Sequence, residues 1–312
     1  MRWLFLLAAL LAAPLHAQYP NKVVRLVIPF APGDSPDLSA RLLAERLGSH
    51  LGQQVIAENR PGAAGSIAAE SVAKSAPDGY TLLYATTAMM AITPQLRKTQ
   101  YDPVKDFETV SRVAAAVLVV VVNKAFPANN WPDFVAEAKR NPGKYTFASS
   151  GEGTILHLSG EHLQNANGFK LLHVPYKGLA PAVIDLLSGQ VNVTMELSSV
   201  LPHVKAGNAK ALIVLDDKPL ADLPGVPTLK QYPMPFDLKP WFGVFAPHGT
   251  SKEITAKVDA AIAKIAAEPG FRDKLPAGLF PAYMDAASYN KLMESDRAAY
   301  REVIKRLNLK LD

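Results

Sequence analysis

Short apolar, β-branched runs alternate with helix-period segments along most of the chain. Val23–Pro29 (VVRLVIP) reads as a strand closed by a proline, Ala31–Asp37 (APGDSPD) as a turn, and Leu38–Leu47 (LSARLLAERL) as a helix with leucines and alanines on one face. Gln54–Glu58 predicts a second strand, Pro61–Gly65 a glycine turn, Ser66–Lys74 a helix and Tyr80–Ala85 (YTLLYA) a third strand. The pattern then restarts. Strands are expected at Val117–Val122, Tyr145–Ala148, Leu171–Pro175, Val191–Met195 and Ala211–Leu215. Helices are expected at Trp131–Arg140, Thr154–Ala166, Pro181–Leu187 and after Pro202. A proline-rich stretch, Pro219–Pro240, precedes one more strand, Trp241–Ala246, and helices at Lys252–Ala267 and Ala287–Leu307 close the chain. Two successive α/β units with mostly parallel sheets suit a two-lobed protein.

The amino terminus stands apart. Residues 1–18 (MRWLFLLAALLAAPLHAQ) carry Arg2 as a positive start, continue as an apolar run from Trp3 to Ala13 and place the small Ala17 just before a plausible cut, the pattern of a cleaved secretory signal. The run is too short to cross a bilayer, which takes about 20 residues. The other long apolar run, Val113–Val122, is also too short, and its β-branched content predicts a buried strand. The expected mature protein is therefore exported and free of membrane spans.

Composition narrows the function. At a soft prior of roughly 150 residues per domain, 312 residues make about two domains. With 49% hydrophobic and 20% charged residues, the chain as a whole is not disordered. The 33 Lys and Arg exceed the 28 Asp and Glu by five, with no run of five basic residues, so nothing points to nucleic acid. The chain has no cysteine, which removes disulfides, thiolate metal sites and cysteine nucleophiles.

The most informative local feature is a strand running into a glycine-containing turn and a helix, twice: Pro29–Arg41 (PFAPGDSPDLSAR) and Ala148–Glu161 (ASSGEGTILHLSGE). Backbone amides in such turns, at the positive end of a helix, bind anions without Arg or Lys. The same residues also read as ordinary turn glycines with Ser35, Asp37 or Thr154 as helix caps. Catalytic patterns are weak. G-x-S-x-G is missing, and Ser149 or Ser150 with His157 is only a partial echo of a serine hydrolase. His157 and His162 are wrongly spaced for two metal ligands on one helix face, and neither H-E-x-x-H nor a phosphate loop occurs. No cofactor or metal is expected.

A set of motifs spreads from Tyr19 to Gly243: VIPFAPG (Val27–Gly33), VIAENRPGAAG (Val55–Gly65), APDGYTL (Ala76–Leu82), YDPVKDF (Tyr101–Phe107), NPGKYTFAS (Asn141–Ser149), HLSGE (His157–Glu161), HVPYKG (His173–Gly178), LPHVKAG (Leu201–Gly207), LPGVPT (Leu223–Thr228) and Trp241-Phe242-Gly243. In order and spacing the chain resembles the Bug family of periplasmic solute-binding proteins, receptors of tripartite tricarboxylate transporters. The resemblance implies a two-lobed α/β fold of the type II binding-protein kind, with a ligand cleft between lobes that close by hinge motion. It implies lobe 1 at residues 19–121 plus 243–312 and lobe 2 at residues 122–242. It also implies a monomeric receptor that takes a small organic acid to membrane transporter subunits, or, in an alternative reading, reports it to a membrane signalling kinase.

By position, the resemblance places Ala31, Gly33 and Asp37 of the first loop, and Ser149, Gly151, Gly153 and Thr154 of the second, around a ligand carboxylate, with Asp34 and Ser150 of the same loops as further candidate ligand-binding residues. Thr86, Thr87, Lys177 and Gly178 match further pocket positions. The departures bear on the ligand. Asp34 stands where the family has a second glycine, and a carboxylate there repels a bound carboxylate unless it points to solvent or meets a cationic or hydroxyl group. Ile155 and Leu156 stand where small polar residues are common. Lining the pocket, they favour an aromatic or longer acid; facing the lobe core, they do not. Around Glu196 the chain is one residue shorter than the family pattern.

Overall fold

The computed structural model describes residues 19–236 and 238–310; the expected signal segment, residues 1–18, lies outside the described residues. Strand β1 (Val24–Ile28) is buried at four of its five positions and leads into helix α1 (Ser35–Leu51). Pro36 in the first turn of α1 pre-sets the helical φ, Ala40, Leu43, Ala44, Leu47 and Leu51 form its buried stripe, and Gly52 ends it at φ 71°. Next come β2 (Val55–Asn59), α2 (Ser66–Ala73), β3 (Thr81–Thr86) and, after a π-helical turn at Ala88–Ile92, the short α3 (Thr93–Leu96). Strands β4 (Phe107–Ala116) and β5 (Val119–Asn123) follow with two residues between them, then α4 (Trp131–Arg140), β6 (Thr146–Ser149), α5 (Ile155–Asn167), β7 (Leu172–Pro175), α6 (Leu179–Ser188), β8 (Val193–Thr194), α7 (Leu201–Lys205) and β9 (Ala209–Val214). The chain closes with β10 (Trp241–Pro247), α8 (Lys252–Ala267), α9 (Pro269–Arg272), β11 (Leu279–Asp285) and α10 (Ala286–Leu307).

The strands form two sheets, ordered β11-β4-β10-β3-β1-β2 and β7-β6-β8-β5-β9. Both are mixed rather than simply parallel. β1 pairs parallel with β2 and β3, whereas β10 runs antiparallel to β3 and β4, and β11 antiparallel to β4. In the second sheet β6 is parallel to β7 and β8, and β5 is antiparallel to β8 and β9. Strands β5 and β10 each follow a crossing between sheets: a strand arriving from the other lobe enters from the cleft side, opposite to a strand built by a local βα unit; β11 is reversed as well, without a crossing. The run read as one strand, Val113–Val122, is two strands in two sheets, broken at Val117-Leu118. Val119–Val121 therefore pair in the second sheet, and Trp241-Phe242 in the first, a few residues from the crossings expected at 122 and 243.

Each sheet is covered on both faces. Leu43, Leu47, Val258, Ile262 and Phe271 pack from α1, α8 and α9 onto Leu26, Tyr84 and Phe242 of the first sheet. Val72 of α2 and Tyr289 and Met293 of α10 pack onto its other face with Trp241 and Phe245. The far end of α10 belongs elsewhere: Tyr300 and Ile304 join Phe134, Phe147 and Leu158 in the core of the second sheet. One helix thus anchors in both lobes.

Gly243 of β10 lies under the ring of Tyr289, which is fully buried, and a Cβ there would overlap that ring. Gly243→Ala is expected to cost about 1–3 kcal/mol through overpacking, read as a lower urea midpoint at unchanged slope.

Candidate functional site

Between the sheets lies a cleft of about 650 Å³. It opens where strands of both lobes end and helices begin, the place where open α/β sheets bind ligands. Three strand-to-helix turns frame it: β1 to α1, β6 to α5 and β7 to α6. Phe30, Leu118, Ile155, Leu156, Leu197, Trp241 and Phe242 make much of its wall apolar. Both Ile155 and Leu156 line the cleft, while Leu156 also reaches the core of the second sheet, so each of the two readings of this pair describes part of the geometry.

In the first turn, Asp37 builds the loop and does not line the cleft. Fully buried, it accepts the Gly33 amide at 2.8 Å, Arg41 Nε at 2.9 Å and Asn59 Nδ2 at 2.6 Å. Burial pushes its carboxyl up, but the hydrogen bonds from Arg41, Gly33 and Asn59 outweigh that and hold it below the usual carboxylate range. The Gly33 amide is thereby spent inside the loop, and Gly33, at φ 90°, does not line the cleft either. The positions assigned to Gly33 and Asp37 by family resemblance are structural here. Ala31, Asp34 and Ser35 do face the cleft.

Asp34 does not point to solvent. It occupies the N-cap position of α1 but gives that helix no side-chain cap. Asp34 is 5% exposed, and its carboxyl reaches across the cleft to the start of α6, where the amides of Leu179 and Ala180 favour its charged form. Burial raises its pKa; the two amides oppose that, and nearby Asp37 adds to it.

The second turn is held from behind by two histidines. Ser149, 1% exposed, lies 2.7 Å from His173 Nε2 and donates its hydroxyl proton to the Gly151 carbonyl at 3.0 Å. The Gly153 amide donates to His157 Nδ1 at 3.3 Å, and Thr154 caps α5 by accepting the His157 amide. The His157 and His173 rings stack with centroids 4.0 Å apart, and Phe147 covers the other side of His173. Burial first, and then the charge of His157, lowers His173 to about 3. Ser149 and Gly153 thus stand behind the loop, while Ser150, Gly151, Thr154 and Ile155 form its cleft face.

The remaining expected positions lie at the cleft. The Thr86 hydroxyl accepts the Met89 amide, and the Thr87 hydroxyl accepts the Trp241 amide at 2.9 Å, fastening β10 where it re-enters the first sheet. Lys177 sits exposed at the rim, and Gly178, at φ 108°, is the N-cap of α6.

Three features had no assigned role in the sequence, and a fourth was read only as a glycine turn. Arg97, at the end of α3, lines the cleft with its Nε buried and without a hydrogen-bond partner. Glu196, 7% exposed, accepts the Ser199 amide at 3.0 Å. Burial, with Asp34 adding to it, pushes Glu196 up to about 7. Trp241 and Phe242 bring an aromatic wall in from β10, Phe242 stacking on Tyr84. The Gly62–Gly65 turn also lines the cleft, with Ala63 and Ala64 in left-handed backbone at φ 49° and 52°. Only this last had a local signal, its paired glycines. Among the described residues, no group of three His, Asp or Glu is placed to hold a metal ion.

Comparison with known proteins agrees with this geometry. A model of the tripartite tricarboxylate transporter family receptors matches residues 39–309. The chain belongs to that receptor family. BugT of Bordetella pertussis is 39% identical over 256 residues, 80% of this chain and 78% of its own. Among solved structures, an R. palustris protein with adipate is 32% identical, with a TM-score of 0.88 over 94% of this chain and 99% of its own. MatC of Rhodopseudomonas palustris, with bound malate, is 28% identical, with a TM-score of 0.83 over 92% of this chain and 100% of its own. The receptor is thus a two-lobed binding protein with mixed-sheet lobes.

Two titrations test the buried groups. Because folding lowers the His173 pKa, the unfolded chain takes a proton below about pH 6.5 that the folded one refuses, and stability falls as the pH drops further. In His173→Asn, thermal midpoints measured between about pH 7 and pH 4 are expected to fall less steeply than in wild type. Glu196 has the opposite sign: its raised pKa contributes stability below the ordinary glutamate range that is lost as the pH rises through about 7. Glu196→Gln should gain on wild type by roughly 2–3 kcal/mol between about pH 5 and pH 8, measured by urea unfolding at both.

Proposed function

We propose that this chain is an exported, non-catalytic receptor that closes its two lobes on a small organic acid and delivers it to a tripartite tricarboxylate-type membrane transporter. The observation that carries this reading is the cleft itself. Strand-to-helix turns of both lobes border a largely apolar cavity, and Ser150, Gly151 and Thr154 at the start of α5 face it. One guanidinium, Arg97, enters that cavity with a buried nitrogen lacking a partner. A buried donor without an acceptor costs free energy that an anionic ligand recovers. The adipate and malate carried by two relatives support a carboxylate. The apolar wall favours an acid with a hydrocarbon or aromatic body over a compact polar one.

Closure is expected to slide α10, because its two ends pack in different lobes. The N-terminal segment, as a secretory signal, would carry the receptor to the periplasm, where the transporter's membrane subunits are its partners.

The test is a thermal-shift screen of the mature protein stripped of carried-over ligand, against aliphatic, aromatic and citrate-like acids, amino acids and neutral amides. A ligand at 100 times its dissociation constant stabilises by about 2.7 kcal/mol, a shift of a few degrees. A response confined to acids supports the reading, and a response confined to neutral compounds overturns it. Arg97→Ala is expected to weaken the best acid about tenfold or more while leaving the melting temperature of the ligand-free protein within a degree or two. Calorimetric titration checks the first expectation and a thermal scan the second.

A further inference from the structure

We infer that Asp34 fills the anion-binding start of α6 with its own carboxylate and thereby restricts this cleft to ligands with a single carboxylate. The inference rests on the organic-acid reading above and names the class of acid.

The argument starts from two helices that lack what they need. Helix α6 begins at Gly178, an N-cap without a side chain, so its first-turn amides have no local acceptor. Helix α1 begins at Asp34, a residue type well suited to capping, yet the Asp34 side chain does not cap α1. Its carboxyl lies instead against the start of α6, across the cleft, where the amides of Leu179 and Ala180 favour its charge. The approach is close: a Cβ at position 178 would lie 3.0 Å from Asp34 Oδ2. Neighbouring hydroxyls reinforce the crossing, with Ser35 Oγ 3.3 Å from Ser199 Oγ of the other lobe.

An anion at a helix start is a common ligand arrangement. Here the anion belongs to the receptor. A second ligand carboxylate at this end of the cleft must displace Asp34, leaving a buried acid without its hydrogen bonds, or share the space with it. Sharing is worse than a single repulsion, because Glu196 is buried at the same end and already feels the charge of Asp34. The other turns stay open to the first carboxylate. Ser150, Gly151 and Thr154 face the cleft at the start of α5, and Arg97 enters it with an unpartnered nitrogen. The site therefore accepts one acid group and an uncharged remainder lying along Phe242 and Trp241.

Two matched pairs of acids test this, each differing by one carboxylate: hexanoate against adipate, and benzoate against terephthalate. Calorimetric titration of the ligand-stripped mature protein should show the monoacid of at least one pair binding about tenfold or more tighter than its diacid. Asp34→Gly, which empties the start of α6, should improve the diacid about tenfold or more relative to the monoacid. Asp34→Asn keeps the shape without the charge, and should move the ratio the same way by less; it also serves if the glycine variant does not fold. Equal binding of monoacid and diacid by wild type, or a ratio that neither variant changes, overturns the inference while leaving the organic-acid receptor standing. No binding by any of the four acids, with neutral amides bound instead, overturns the receptor reading and this inference with it.

Discussion

A helix start has amides with no partner within the helix, and finding acceptors for them at the cleft organises this receptor. The starts of α1, α5 and α6 meet that need in different ways, α1 without a side-chain cap of its own. Asp37, in the first turn of α1, folds back on the Gly33 amide and is held in place by Arg41 and Asn59. At α5, Thr154 accepts the His157 amide from the N-cap position. At α6, whose N-cap is a glycine, the acceptor comes from the opposite lobe as Asp34. The Asp37 and Thr154 bonds shape their own loops. The third ties the lobes together, because the acceptor and the amides belong to different sheets.

The crossings have the same double character. The chain passes between lobes at Val117-Leu118 and again before Trp241, and both passages border the cleft. Thr87 pins the second by accepting the Trp241 amide. Since β10 lies between β3 and β4, the returning strand completes the first sheet and brings its aromatic residues to the ligand wall at once. Helix α10 adds a third link, with Tyr289 and Met293 in one lobe and Tyr300 and Ile304 in the other. Relative motion of the lobes must therefore be a small rearrangement around packed connections, not free swinging on a loop.

Electrostatically the cleft is more guarded than its apolar wall suggests. The acids Asp34 and Glu196 are both buried and raised, while the stacked imidazoles His157 and His173 are both lowered and neutral. The histidines brace the β6–α5 loop as uncharged rings. Asp34 and Glu196 instead bear on how many negative charges can enter.

Much of the fold was legible in local pattern. The strand, turn and helix periodicities located most elements to within a few residues, because each rests on contacts inside one βα unit: the leucine stripe of α1, the β-branched run of β5, the caps of α8 and α10. The glycine turns around Gly33 and Gly151 marked where the helices begin, and motif order along the chain indicated the receptor family. What local pattern missed depends on partners distant in sequence. Strand β4 is twice as long as β5, with polar residues where β10 and β11 pair with it, so its first half carried no apolar run. Arg97 and Glu196 became cleft residues only when two lobes met. Above all, no reading of the Asp34 segment alone could tell whether its carboxylate caps its own helix, faces water or meets a ligand. That choice was made by the amides of Leu179 and Ala180, some 145 residues along the chain, and only the packing of one lobe against the other brings them within reach.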